Sequence, residues 1–136
     1  MSVEPQSRPQ TQTQTQPPGK TPQLTLFVDF HVLPDQIEAF KAAHRPVWAA
    51  CAAEPACLLF DVFHDAADPT HVRLVEVWAA DRAWFEAHQL TKPYYATLWE
   101  RSRPTWRREV EIAYFEREGE GCAYRSGYLD GGRRMD

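Results

Sequence analysis

VRLVEVWAADRAWFEAHQLTKPYYATLW, residues 72–99, opens as a strand, turns, and continues as a helix. The apolar run ends at Trp78, Ala79-Ala80 turns, and Asp81 restarts the chain as an N-cap, since its carboxylate accepts the free N–H groups of a first helical turn. From there Trp84, Ala87, His88 and Thr91 share one face at spacings of three and four, and Tyr95, Leu98 and Trp99 carry the stripe past Pro93. One imidazole thus stands in an aromatic wall. His88 is the only side chain on that face able to exchange a proton near neutral pH, which makes it the expected catalytic group. A histidine satisfied by a core hydrogen bond is the plain alternative.

Upstream, Leu24, Leu26, Val28, Phe30 and Val32 alternate with Thr25, Phe27, Asp29 and His31, the period-two pattern of a strand whose even face meets a helical layer. Asp35 is placed to cap a helix with Ile37, Phe40, Ala43, Val47, Trp48 and Cys51 as its apolar stripe. Pro46 should kink or interrupt that helix before Val47, and Glu54-Pro55 ends it. Cys57 to His64 is a second strand, Asp65 to Thr70 is turn chemistry, and Val72 to Trp78 returns as the third strand of an antiparallel hairpin. After the organising helix, Val110 to Glu116 is a fourth strand. The order strand, helix, strand, strand, helix, strand predicts an α+β, ferredoxin-like βαββαβ fold: an antiparallel sheet with both helices on one face. Phe27, Leu59, Phe63, Val75, Val77 and Phe115 then lie on the other face, and an apolar patch of that size predicts a homodimer with its sheets packed face to face.

Residues 1–22 carry a TQTQTQ repeat and several prolines, with almost nothing to bury, and read as a disordered tail. Residues 119–136 lose periodicity and read as a second tail, with Tyr124 and Tyr128 as possible tethers, leaving 23–118 as the folded domain. A formal charge of −4 with interspersed signs argues against nucleic acid as the main partner. No apolar run reaches the roughly 20 residues that cross a bilayer, so no membrane partner and a cytoplasmic location are expected. The three cysteines, Cys51, Cys57 and Cys122, have no metal-site or CxxC spacing and read as free thiols of a reducing compartment. No P-loop, G-x-G-x-x-G or G-x-S-x-G occurs, which leaves nucleotide-binding and serine-hydrolase readings without support. His44, Arg45, His64 and His71 are expected near helix surface or strand ends, and His31 at the interface. The Arg101, Arg103, Arg107 and Arg108 cluster alternates with acids as a solvated face does, an entry guide for an anionic substrate being the sharper reading.

The Glu54-Pro55-Ala56-Cys57 turn, the VEVW closing strand three, and AWFEAHQLTKPYY followed by Pro104-Thr105-Trp106 together resemble the antibiotic biosynthesis monooxygenase superfamily. The likeness covers about residues 24–117 and is strongest to small members from fungi and some bacteria. It implies a dimeric α+β barrel with a pocket between sheet and helices. It also implies oxygenation of electron-rich aromatic molecules by O2 with no flavin, metal or haem cofactor. Within that resemblance Trp78 matches the tryptophan closing strand three, His88 the helix histidine, and Tyr94 and Tyr95 the aromatic pair that follows. His88 lies one residue further from Trp78 than in the commonest pattern, so either His88 or Gln89 takes the pocket-facing position. The haem-degrading branch is disfavoured, because its strand-one asparagine has no counterpart on the even face here.

The candidate catalytic set is therefore His88, Tyr94 and Tyr95, with Trp78, Trp84, Gln89, Phe30 and Trp48 as substrate-binding residues and no metal ligands. A phenolate or carbanion gives up an electron to O2 more readily than a neutral phenol, and a base of near-neutral pKa generates it. The expected activity is oxidation of a quinol or polycyclic aromatic in secondary metabolism or quinone detoxification. The alternatives are a non-catalytic dimeric module that holds an aromatic ligand, and a cyclase or isomerase using the same pocket.

Overall fold

The computed structural model describes residues 22–132 and 134–135, so the expected tail over residues 1–22 lies, apart from Pro22, outside the described residues. The alternation of the first strand is realised in β1 (Leu24–His31), where Leu24, Leu26, Val28 and Phe30 are buried under the helices. A 3-10 turn at Pro34–Gln36 leads into α1 (Ile37–Ala53). Asp35 falls inside that turn and caps nothing, which corrects its expected role: the helix begins after Gln36 with no side-chain cap. Pro46 does not interrupt α1, whose assignment runs through it. Pro46 and Ala42 are both exposed, so the Ala42 carbonyl that loses its helix partner faces water, which can replace the missing donor.

Strands β2 (Cys57–Asp65) and β3 (Asp68–Trp78) form the hairpin, joined through Ala66-Ala67 alone, so β3 starts earlier than its apolar run. The expected Asp81 cap is present, its carboxylate accepting from Trp84 N at 2.8 Å. One turn of α2 (Arg82–Trp84) then widens into a π-helical turn, Phe85–Gln89, closed by Leu90 N donating to Phe85 O at 2.9 Å. The helical layer is completed by α3 (Tyr94–Ser102), and β4 (Glu111–Glu116) adds the last strand. The antiparallel sheet order is β2-β3-β1-β4. It is the ferredoxin-like α+β arrangement, with α1 packed on α3 over one face and the core between.

The opposite face has two halves. Phe27, Leu59, Val75 and Val77 are half-buried and Phe115 is 56% exposed, with Phe27 and Phe115 edge to face at 5.3 Å. Toward the other end of the strands, Asp29 accepts from His71 Nε2 at 2.6 Å and from Arg73 Nε at 2.8 Å, while His31 stacks on His71. Burial raises the Asp29 pKa, but these bonds outweigh it and hold the carboxyl below the usual range. Beyond β4 only a 3-10 turn at Ser126–Leu129 is regular among the described residues, and Tyr124 and Tyr128 are exposed rather than tethering the segment. No helix of the described residues is long and apolar enough to cross a membrane.

Candidate functional site

The sheet's helix-facing side is apolar with one exception. In β3, residues 72, 74, 76 and 78 point the same way, so Glu76 lies between Leu74 and Trp78, opposite Leu26 of β1 and Phe60 of β2. It is 6% exposed, and its Oε1 accepts from Trp78 Nε1 at 3.0 Å. A cavity of about 40 Å³ opens between this face and the helices. Phe30 and Leu74 line it from the sheet, Val47 and Trp48 from α1, and Leu98 and Trp99 from α3. Ile112, 40% exposed, also lines it and marks where it approaches solvent.

The polar residues lining the cavity, besides Trp48 and Trp99, are Glu76, His44, Cys51 and Tyr95. Burial drives the His44 imidazole down to about 3, the Cys51 thiol up to about 11, and the Tyr95 phenol well above its ordinary value. All three are therefore neutral at pH 7. Burial also pushes the Glu76 carboxyl up to about 7, against the pull of the Trp78 indole N–H. Glu76 is thus the only group lining the cavity that changes charge near neutral pH, and a buried carboxyl poised there can serve as a general base.

Behind Tyr95 lies a connected polar layer. The Gln89 amide donates to Tyr94 Oη at 2.7 Å and to Tyr95 Oη at 2.9 Å. With both phenol oxygens accepting, Tyr94 Oη donates to Glu54 Oε2 at 2.8 Å, and Tyr95 Oη pairs with Cys51 Sγ at 3.4 Å. Lys92 Nζ closes the outer end on Glu54 Oε1 at 3.3 Å. On the far side of the cavity, His44 Nε2 meets Ser102 Oγ at 2.7 Å, and Trp106 Nε1 donates to the same oxygen at 2.8 Å.

Of the residues nominated from sequence, Phe30, Trp48 and Tyr95 line the cavity, Trp78 abuts it through Glu76, and Gln89 and Tyr94 stand behind Tyr95. His88 and Trp84 are elsewhere. The expectation that they form a pocket wall is corrected: His88 is exposed and packs on half-buried Trp84, ring centroids 5.6 Å apart, while Phe85 at 1% and Gln89 at 0% exposure face inward. Apolar area decides which stripe is buried, because Phe85 and Leu90 offer more of it than Ala87 and Thr91. His44 is likewise corrected from a surface position to one 1% exposed, because its α1 stripe also holds Phe40, Val47 and Cys51. Glu76 was missed, although a lone acid on the inward phase of an apolar strand is a visible anomaly. Among the described residues no three His, Cys, Asp or Glu side chains gather as a metal site needs.

Three of the four clustered arginines have local partners. Arg103 lies over Trp99 and Trp106 at 5.7 and 5.8 Å, Arg107 pairs with Asp68 at 3.5 Å, and Arg108 donates to His31 Nε2 at 2.7 Å.

The family model described as antibiotic biosynthesis monooxygenase matches residues 24–98. A fungal protein, "Putative monooxygenase GME11364" of Pestalotiopsis microspora, is 33% identical over 75 residues, which cover 55% of this chain and 62% of that one. The chain thus spans less than two thirds of that relative's length. A Pseudomonas aeruginosa protein of known crystal structure is 30% identical, with TM-score 0.58 over 72% of this chain and 95% of its own. The structure "Putative antibiotic biosynthesis monooxygenase from Nitrosomonas europaea" is 26% identical, with TM-score 0.61 over 68% of this chain and 95% of its own.

Proposed function

Because the chain belongs to the antibiotic biosynthesis monooxygenase family, we propose that it oxygenates an electron-rich aromatic molecule, a quinol or polycyclic phenol, with O2 and no bound cofactor. The observation that carries this reading is the Glu76 carboxyl, buried among apolar side chains, held by Trp78 and poised to ionise at about 7. Its carboxylate takes the proton of a phenol or of an activated ring carbon, and the resulting anion gives its electrons to O2. Where that carbon is a ring methylene, it ends as a ring carbonyl. One oxygen atom of O2 enters the product, the other leaves as water with the two methylene hydrogens, and the substrate is the sole electron donor. A benzene-sized void is about 150 Å³. The cavity is about 40 Å³, so an aromatic ring enters by displacing side chains at the Ile112 side.

The apolar half of the open sheet face supports the proposal that the protein works as a homodimer. Phe115 is 56% exposed there, edge to face with Phe27, an arrangement that a second copy would cover.

Oxygen uptake by metal-stripped, flavin-free protein with a panel of hydroquinones and anthrones tests the reading. Wild type should consume O2, and Glu76→Gln should lose on the order of a hundredfold or more in turnover. Product formation without oxygen uptake would replace oxygenation with isomerisation or cyclisation at the same base.

A further inference from the structure

Two buried N–H groups on α1 have no acceptor. His44 Nδ1 and Trp48 Nε1 each find no hydrogen-bond partner among the described residues, although both are shielded from solvent. The two side chains are one helical turn apart, with ring centroids 5.6 Å from each other, and both line the cavity that contains Glu76.

The tautomer of His44 follows from its neighbour. Ser102 Oγ has one hydrogen and already accepts from Trp106 Nε1. Among the described residues the only other partner of that oxygen is His44 Nε2, at 2.7 Å. The arrangement that uses the serine hydrogen has Oγ donating to Nε2, which leaves the imidazole proton on Nδ1. Both unpartnered nitrogens are then donors. A buried donor left without an acceptor is costly, and such atoms are rare unless a ligand or ion supplies the partner.

We infer that His44 and Trp48 together bind an oxygen atom of the ligand, as a carbonyl or hydroxyl in the neutral molecule and as an oxyanion after its proton is removed. This rests on the reading of Glu76 as the base. It narrows the substrate class to aromatic molecules whose acidic proton is conjugated to an oxygen, such as phenols and aryl ketones with an α-hydrogen, since deprotonation there places negative charge on that oxygen. Fixed N–H donors in a water-poor cavity stabilise such charge as it develops. A ring with no oxygen would enter the same cavity and leave both donors unpaired, so the pair selects against it.

The test compares 2-naphthol with 2-methylnaphthalene, which keeps the rings and replaces the hydroxyl, the probe's only oxygen, by methyl. Binding is read by quenching of tryptophan fluorescence, and ionisation of bound 2-naphthol by the near-ultraviolet band of its naphtholate, to the red of protein absorbance. Wild type should prefer 2-naphthol and raise the fraction of bound probe that is naphtholate. Trp48→Phe keeps the apolar wall and removes one donor, and should weaken 2-naphthol by about tenfold or more while leaving 2-methylnaphthalene nearly unchanged. His44→Phe, which retains the ring packing against Phe30 and Phe40, should act in the same direction. Equal weakening of both probes, no change in either, or a wild type without preference for the phenol overturns the inference. Intact phenol preference in a protein that takes up no oxygen with any substrate would instead overturn the oxygenase reading and leave this subsite standing.

Discussion

Trp78 Nε1 donates to Glu76 Oε1 at 3.0 Å from a position two residues further along the same strand. Because alternate residues of a strand share a face, the register that buries Trp78 also buries the carboxyl, and the indole is its one named polar partner in an apolar setting. The end of β3 thereby presents a carboxyl to the cavity.

The ionisation of Glu76 should govern both rate and stability. The rate should rise with pH through a single ionisation near 7, since the carboxylate is the active form. For stability the sign is opposite. A folded pKa of about 7 against 4.5 unfolded means that the folded state holds the proton more tightly, so stability is full below 4.5 and falls as pH rises through 7. Glu76→Gln should therefore be more stable than wild type at pH 8 by roughly 3 kcal/mol, with a smaller difference at pH 5. His44 works the other way, its stability contribution being lost as pH falls from 6.5 toward 3, and it is common to both proteins. Urea unfolding at the two pH values measures this, and an equal difference at both would remove Glu76 as a buried, shifted acid.

His88→Ala should keep most of its turnover, because the imidazole packs on Trp84 outside the cavity. Oxygen uptake measured beside Glu76→Gln compares the two groups directly. A loss in His88→Ala as large as that in Glu76→Gln would return the catalytic role to the histidine.

Gln89→Met should destabilise the fold by about 1–3 kcal/mol, because it removes both donors that hold the Tyr94 and Tyr95 oxygens and leaves the buried acceptors short of a partner. Thermal unfolding reads the change. An unchanged melting temperature would mean that the amide only fills space.

Light scattering at micromolar concentration should give the mass of a dimer, and Val75→Glu should give a monomer, since it places a charge beside Phe27 on the apolar half of the open face. A monomeric wild type would refute the dimer.

The fold was legible because its signals are local. The alternation from Leu24 to Val32, the Asp81 cap and the paired strands about Ala66-Ala67 each depend on residues close in sequence. The site was less legible because its parts come from distant elements. His44 meets Ser102 across 58 residues and Gln89 meets Cys51 across 38, contacts that no spacing rule reports. Glu76 differs in kind. Placing Val75 and Val77 on the open face already implies an inward residue 76, an acid in an otherwise apolar row. On the next helix the pairs Trp84–His88 and Phe85–Gln89 have the same spacing of four, so the period alone does not decide between two faces one residue apart, and the second pair is the buried one.

The i-to-i+5 bond from Leu90 to Phe85 encloses one more residue than an α turn does. Each residue in a helix advances the side-chain direction by about 100°. A relative with one residue fewer here could therefore keep its strand, its tyrosines and its overall length of helix while turning a different side chain toward the cavity. Across these five residues, position in the sequence alone therefore does not fix which side chain faces the cavity.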